Sequence, residues 1–311
     1  MTVRMIIDTD TAQDDAFALL IGLRHPAAQL EAVTINYGNV AFDQMVENAL
    51  YTIEVAGRGG QVPVYEGARL PLLAPFDDSS YVHGTDGFGG AGFPRARQRP
   101  ESENAVVALL RLVAPNPGEF TIIAQAPLTN LALAAAADRS FAGNVKELII
   151  MGGTNNAAGN ITAAAEANFF HDPEAAALVL RAGFRTTLVP WDLVMRQGVF
   201  DLGKLSQIEA LDTPASRFFV RANRGTLAYN KKAHGMDGST HPDSIAAAIA
   251  VEPGIVTKAS DYYVDVETAS GVATGYCLVD SVRRSGREPN ARVIEEIDED
   301  LFFQTMLRVL A

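Results

Sequence analysis

The sequence predicts a single α/β domain over residues 1–311, with a mostly parallel central sheet flanked by helices and a ligand site at the C-terminal ends of the strands. Three observations lead there. Short apolar runs of strand length alternate with longer amphipathic or apolar runs of helix length along the whole chain, the signature of a parallel sheet covered on both faces. No repeat, low-complexity tract or linker interrupts that alternation. Polar residues and glycines gather where the strand-like runs end, as in Asn36-Tyr37-Gly38-Asn39, Gln125-Ala126-Pro127 and Met151-Gly152-Gly153. In open parallel sheets that edge is where ligands bind.

The elements follow in order. Val3-Arg4-Met5-Ile6-Ile7 reads as a buried strand, and Ala16 to Arg24 as a helix. Gln29–Asn36 is a second strand, and Phe42–Ala56 an amphipathic helix stopped by Gly57. Val62–Tyr65 is a short strand. Leu70 to Pro100, rich in Gly and Pro, is a long loop region of the kind that usually carries function. Asn104–Val113 and Leu128–Ala137 are helical on either side of the strand Phe120–Ala124. Lys146–Met151 is a buried strand, Asp172-Pro173-Glu174 opens a helix through Arg181, and Thr186–Val189 is a strand. Phe218–Asn230 and Ser244–Ala250 are helical with a Gly-rich loop between them. Strands occupy Tyr262–Val266 through Val293-Ile294, and Glu299–Leu310 closes the chain as a helix.

Composition narrows the partners. A net charge of −12 and scattered Lys and Arg leave no footprint for a nucleic-acid polymer. Arg283-Arg284 and Lys231-Lys232 are short solvated pairs. The single cysteine, Cys277, rules out an internal disulfide and fits a reducing cytoplasm. The first strand begins at once after Met1-Thr2, which argues against a secretory signal, and no apolar stretch is long enough to span a membrane.

Asp8-Thr9-Asp10-Thr11-Ala12-Gln13-Asp14-Asp15 packs four carboxylates into eight positions. Asp8 and Asp10 lie two apart at a strand's end and share a face, while Asp14 and Asp15 fall in a first helical turn, whose partial positive charge offsets part of their repulsion. One acid in a first turn is ordinary; four at one point cannot all stay ionised without a counter-charge, and a bound divalent cation is the simplest remedy. Carboxylates and carbonyls without cysteine select a hard ion, Ca²⁺ or Mg²⁺, over zinc. Other motifs read as structural. Asp172 as N-cap with Pro173 behind it explains His171-Asp172-Pro173. Gly87-Phe88-Gly89-Gly90-Ala91-Gly92 matches a dinucleotide fingerprint formally, yet it neither follows a strand nor opens a helix. Trp191 and Cys277 read as core. Tyr229 reads equally as surface packing or as a base-stacking residue, and His83 as loop packing or a substrate contact.

The ordered set of motifs resembles the inosine–uridine-preferring nucleoside hydrolase family over most of the chain. It comprises the N-terminal acid cluster, Asn39, His83-Gly84-Thr85-Asp86-Gly87, Gln125-Ala126-Pro127-Leu128-Thr129-Asn130-Leu131-Ala132, Met151-Gly152-Gly153, Gly159-Asn160, and Ala165-Glu166-Ala167-Asn168-Phe169 followed by His171-Asp172-Pro173-Glu174. The resemblance implies a Rossmann-like fold and hydrolysis of the N-glycosidic bond of a ribonucleoside to ribose and free base. It also implies Ca²⁺ holding both the attacking water and the ribose diol. Carried over by position, the metal ligands are Asp10, Asp15, the main-chain carbonyl of Gln125 and Asp243, with Asp8 a supporting carboxylate. Asp10 is also the base that activates the water. Asp14, Asn160, Glu166 and Asn168 bind ribose hydroxyls, with Asn39, Met151 and His83 beside them. The family implies a homodimer or homotetramer.

Three positions depart from the family pattern. Thr11-Ala12 replaces the usual Pro-Gly, and Gln125 replaces a usual Thr. His241-Pro242-Asp243 stands where base-specific members often have His directly before Asp; this leaves His241, one residue out of register, as the candidate leaving-group acid. Two alternatives carry different chemistry. Strand-Asp-x-Asp-x-Thr also opens haloacid dehalogenase-like phosphohydrolases, but Lys146 begins its strand and no later acidic pair stands in the right context. The other is a catalytically silent nucleoside- or sugar-binding protein, which Pro242 alone suggests.

Overall fold

The computed structural model describes residues 2–76 and 78–311. Twelve strands are described: β1 Val3–Thr9, β2 Ala28–Ile35, β3 Val64–Glu66, β4 Phe120–Gln125, β5 Glu147–Met151, β6 Thr186–Val189, β7 Val199–Asp201, β8 Gly238–Thr240, β9 Val256–Tyr262, β10 Val264–Val266, β11 Cys277–Val279 and β12 Ala291–Ile297. Eight form one sheet in the order β3-β2-β1-β4-β5-β6-β12-β9. Every pairing in it is parallel except β12 with β9 at the edge. The parallel sheet expected from the sequence is therefore present, with one antiparallel edge strand that the alternation did not reveal. The ribbons β7–β8 and β10–β11 are antiparallel and stand apart from it.

Period-two alternation along the strands feeds two cores. Met5 and Ile7 of β1 face the helices Gln13–Arg24, Phe42–Val55, Pro242–Val251 and Glu299–Leu310, whereas Ile6 faces Ala105–Val113, Thr129–Ala137 and Pro173–Arg181. The chain runs outward through β2 and β3, then returns to β4 on the other side of β1. The strand order thus reverses between β1 and β4, where Thr9 pairs with Gln125. At such a switch point the connections leave in opposite directions and open a crevice. Asp10 and Gln125 flank it.

Between Val189 and Phe218 the chain forms two helices, Trp191–Gln197 and Leu202–Ala210, which the sequence reading left without elements. Both are short, and Leu202–Ala210 buries only Ile208, so apolar periodicity is faint. The helix expected over Phe218–Asn230 is two, Pro214–Ala222 and Arg224–His234, meeting at Asn223; the second ends on Gly235 in the left-handed conformation (φ 64°). Among the described residues, no helix is long and apolar enough to cross a membrane.

Candidate active site

The helix Gln13–Arg24 starts immediately after β1. Ala12 at its N-cap has no side-chain acceptor, so Asp15, in the first turn, folds back and accepts from Ala12 N at 3.0 Å. Replacing the usual Pro-Gly thus leaves the helix entry intact. The same carboxylate accepts from Asn39 Nδ2 (3.0 Å), Thr9 Oγ1 (2.8 Å) and Gln125 Nε2 (3.1 Å), which hold it in one orientation. Asp243 comes from the far end of the chain. The ribbon β7–β8 delivers it, Pro242 takes the first helical position, and the helix Pro242–Val251 packs along Gln13–Arg24. The starts of the two helices meet at their acids, where both dipoles favour negative charge.

One carboxylate oxygen each from Asp14, Asp15 and Asp243 lie within 4.8 Å of one another. Asp10 feels the charge of this group: burial first, then Asp15, holds its carboxyl well above the ordinary range. Burial and the same neighbours do likewise to Asp243. Burial pushes Asp14 and Asp15 up to about 6. Asp10 Oδ1 and Asp14 Oδ1 are buried and find no hydrogen-bond donor among the described residues. Buried carboxylate oxygens without donors, beside three converging acids, are what a hard divalent cation satisfies, and they would be costly otherwise. The acids fit such an ion. Asp8 lies deeper, its Oδ1 accepting from Thr34 Oγ1 (2.6 Å) and Asn130 Nδ2 (2.8 Å); burial still raises it to about 6.

A cleft enclosing about 810 Å³, its open mouth included, rises from Asp10, Asp14, Gln125 and Asp243. Along one wall Met151, at the end of β5, accepts through its carbonyl from Asn168 Nδ2 at 3.0 Å. Glu166 caps the short helix Ala167–His171: its oxygens accept from Asn168 N (2.9 Å), Gly153 N (2.8 Å) and Phe169 N (3.3 Å), yet burial outweighs these bonds and moves it up to about 7. Asn160 is exposed at the edge and binds Ala167 N at 2.9 Å. Asn39 spends its amide hydrogens on Asp15 and the carbonyl of Asp10, so it braces the acids as well as lining the cleft. His83 lines it too. Every substrate-side residue suggested by the sequence therefore borders one cavity.

His241 does not, and the expectation that it reaches the site is corrected. It is fully buried, with its ring 4.3 Å from Phe200, 5.4 Å from Phe219 and 5.9 Å from Phe17, and its Nε2 2.8 Å from Ser239 Oγ. Burial depresses it to about 3, so it stays neutral. Pro242 takes the place on the cleft wall. Trp191, expected in the core, is half-buried: it packs against the core and also lines the cleft. The mouth adds Tyr81, Thr226, Tyr229 and His234, of which the sequence reading had singled out Tyr229 alone. In the glycine run after His83 amides are taken up internally: Asp86 accepts from Phe88 N, Gly90 N and Gly92 N. His171-Asp172-Pro173 is structural as read, Asp172 capping Ala175 N at 3.0 Å and accepting from Thr129 Oγ1 at 2.6 Å.

The sequence model of the inosine-uridine preferring nucleoside hydrolase family matches residues 5–304. A pyrimidine-specific ribonucleoside hydrolase of a Shewanella species is 30% identical over 312 aligned residues, spanning 100% of this chain and 97% of the relative. A non-specific ribonucleoside hydrolase of Salmonella newport is 32% identical over 313, spanning 100% and 98%. Among solved structures, a plant nucleoside hydrolase superposes with a TM-score of 0.93 at 30% identity, covering 100% of this chain and 99% of its own. Nothing in these likenesses favours a phosphohydrolase. Matched along nearly its whole length in sequence and in fold, the chain belongs to the inosine-uridine preferring nucleoside hydrolases, enzymes that hydrolyse the N-glycosidic bond of nucleosides.

Proposed function

We propose that this protein hydrolyses ribonucleosides to ribose and free base with the aid of Ca²⁺ held by Asp10, Asp15, Asp243 and the main-chain carbonyl of Gln125, with Asp14 at the same point. The observation that carries the reading is the convergence of acids from positions 14, 15 and 243 beside an unpartnered Asp10 oxygen. The ion, when bound, supplies the charge that lets these acids ionise together and that acidifies water. Asp10 lines the cleft with a free oxygen and takes the proton from the attacking water. Asp14, Asn160, Glu166 and Asn168 fix the ribose hydroxyls, with Asn39 and Met151 behind them. Anionic groups close to the sugar favour the positive charge that develops as the bond to the base breaks. The base then lies toward the mouth, among Tyr81, Tyr229 and His234. The relatives differ in the base they accept, so ribonucleosides are proposed as a class. The buried lone thiol of Cys277 accords with a reducing cytoplasm, and the acting form is taken as a homodimer or homotetramer, which sedimentation checks.

The test is hydrolysis of inosine, uridine and p-nitrophenyl riboside before and after chelation. Activity should vanish with chelator and return with Ca²⁺. Adding Ca²⁺ at about a thousand times its Kd should raise stability by about 4 kcal/mol and the melting temperature by several degrees. Undiminished turnover after exhaustive chelation, with no thermal shift on re-addition, would defeat the proposal.

His241 supplies a further prediction. Its replacement by Ala leaves a hole among three phenylalanines and takes one of two hydrogen-bond partners from Ser239, which keeps Asn223, at a cost of roughly 2–4 kcal/mol. The ratio of inosine to p-nitrophenyl riboside rates should stay at the wild-type value, because the ring is outside the cleft. A selective loss of inosine cleavage in steady-state assays would restore His241 as leaving-group acid.

A further inference from the structure

Gln13 opens the helix that carries Asp14 and Asp15, is fully buried and does not line the cleft. Its side-chain amide joins two separate segments of the mouth. Oε1 lies 2.8 Å from His83 Nδ1, at the end of the helix Ser80–His83, and Nε2 lies 2.8 Å from Thr226 Oγ1 in the helix Arg224–His234. The two segments also touch directly. A Cβ on Gly89 would stand 2.6 Å from Gly225 N, and the rings of Tyr81 and Tyr229 meet edge-on at 6.5 Å. His83 therefore sits in a clasp whose polar pin is Gln13. With Oε1 facing it, Nδ1 carries the ring proton, and Nε2 is left as an acceptor without a partner among the described residues.

We propose that Gln13 is a positioning residue, which fixes His83 as the Nδ1–H tautomer so that its Nε2 accepts a hydrogen bond from the nucleoside. A glutamine suits this task. It offers the ring an acceptor and Thr226 a donor in one rigid plane, and it brings no charge next to four carboxylates. The proposal rests on the reading of His83 as a substrate contact, and the experiment separates the two.

Gln13→Met keeps the length and removes both hydrogen bonds; Thr226→Val cuts only the far end and guards against a folding failure in the first variant. Nitrogen-15 NMR of the His83 ring in the full-length protein with Ca²⁺ should show the Nδ1–H tautomer, and Gln13→Met should convert it to a mixture. KM for inosine and uridine should rise about tenfold in Gln13→Met with kcat within about twofold, and Thr226→Val should shift KM the same way by less. In a His83→Ala background Gln13→Met should add nothing. An Nε2–H tautomer in the wild type, a ring signal unmoved by Gln13→Met, or additive effects of Gln13→Met and His83→Ala would overturn the positioning role. If His83→Ala alone leaves KM unchanged while Gln13→Met still shifts the tautomer, the reading of His83 as a substrate contact fails and the acceptor role fails with it.

Discussion

Asp10→Asn should lower kcat by about four orders of magnitude on inosine and on p-nitrophenyl riboside alike. The substitution is isosteric, so the packing around the side chain survives and the loss is chemical. A general base is worth about 10²–10⁴ in rate, and weakening a cation site accounts for a further 10–100. The equal effect on both substrates is the informative part. Activation of the leaving group matters little for p-nitrophenyl riboside, while activation of water matters for both. Calorimetric titration should show Ca²⁺ affinity reduced in the same variant, because the carboxylate whose Oδ1 is unpartnered in the wild type has become a neutral amide. A kcat within tenfold of wild type would remove Asp10 from the mechanism.

What was legible in the sequence follows from what a linear pattern can carry. Period two along β1 and the acids at its end need only neighbours in the chain, so the strand, the helix after it and the crevice between them could be read directly. Asp243 could be reached only through the family resemblance, because nothing local shows that the helix Pro242–Val251 packs beside Gln13–Arg24. His241 was misplaced for the same reason. Counting residues back from Asp243 puts it near the cleft, but Pro242 at the first helical position and the ribbon β7–β8 turn the imidazole into Phe17, Phe200 and Phe219. Gln13 drew no notice because a polar residue among aspartates looks like a spacer; its partners, His83 and Thr226, are brought to it only by folding. Trp191 directly follows Pro190 after β6, and its place at a strand's carboxyl end is the signal that it borders the cleft as well as the core.

Gly38→Ala should lower kcat about 10²-fold by displacing the carboxylate that Asp10→Asn removes. Gly38 needs no left-handed backbone; what it needs is the absence of a side chain. A Cβ placed there would lie 1.8 Å from Asp10 Oδ2, 2.6 Å from its Cγ and 2.9 Å from its Cβ, closer than side-chain carbons pack. The Asp10 carboxylate thus rests on the bare Cα of the turn after β2, and a methyl group must expel it or push back the turn that carries Asn39. Overpacking of this kind costs about 1–3 kcal/mol of stability, and moving the base by about 1 Å lowers turnover about 10²-fold or more. Two effects with one cause can be separated by a cycle. In an Asp10→Gly background all three of those atoms are gone and the space beside Gly38 is open, so adding Gly38→Ala should change the unfolding free energy by less than about 0.5 kcal/mol, against the full cost in the wild type. Equal costs in both backgrounds, measured by denaturant titration, would mean that Gly38 serves the turn itself and not the carboxylate seated on it.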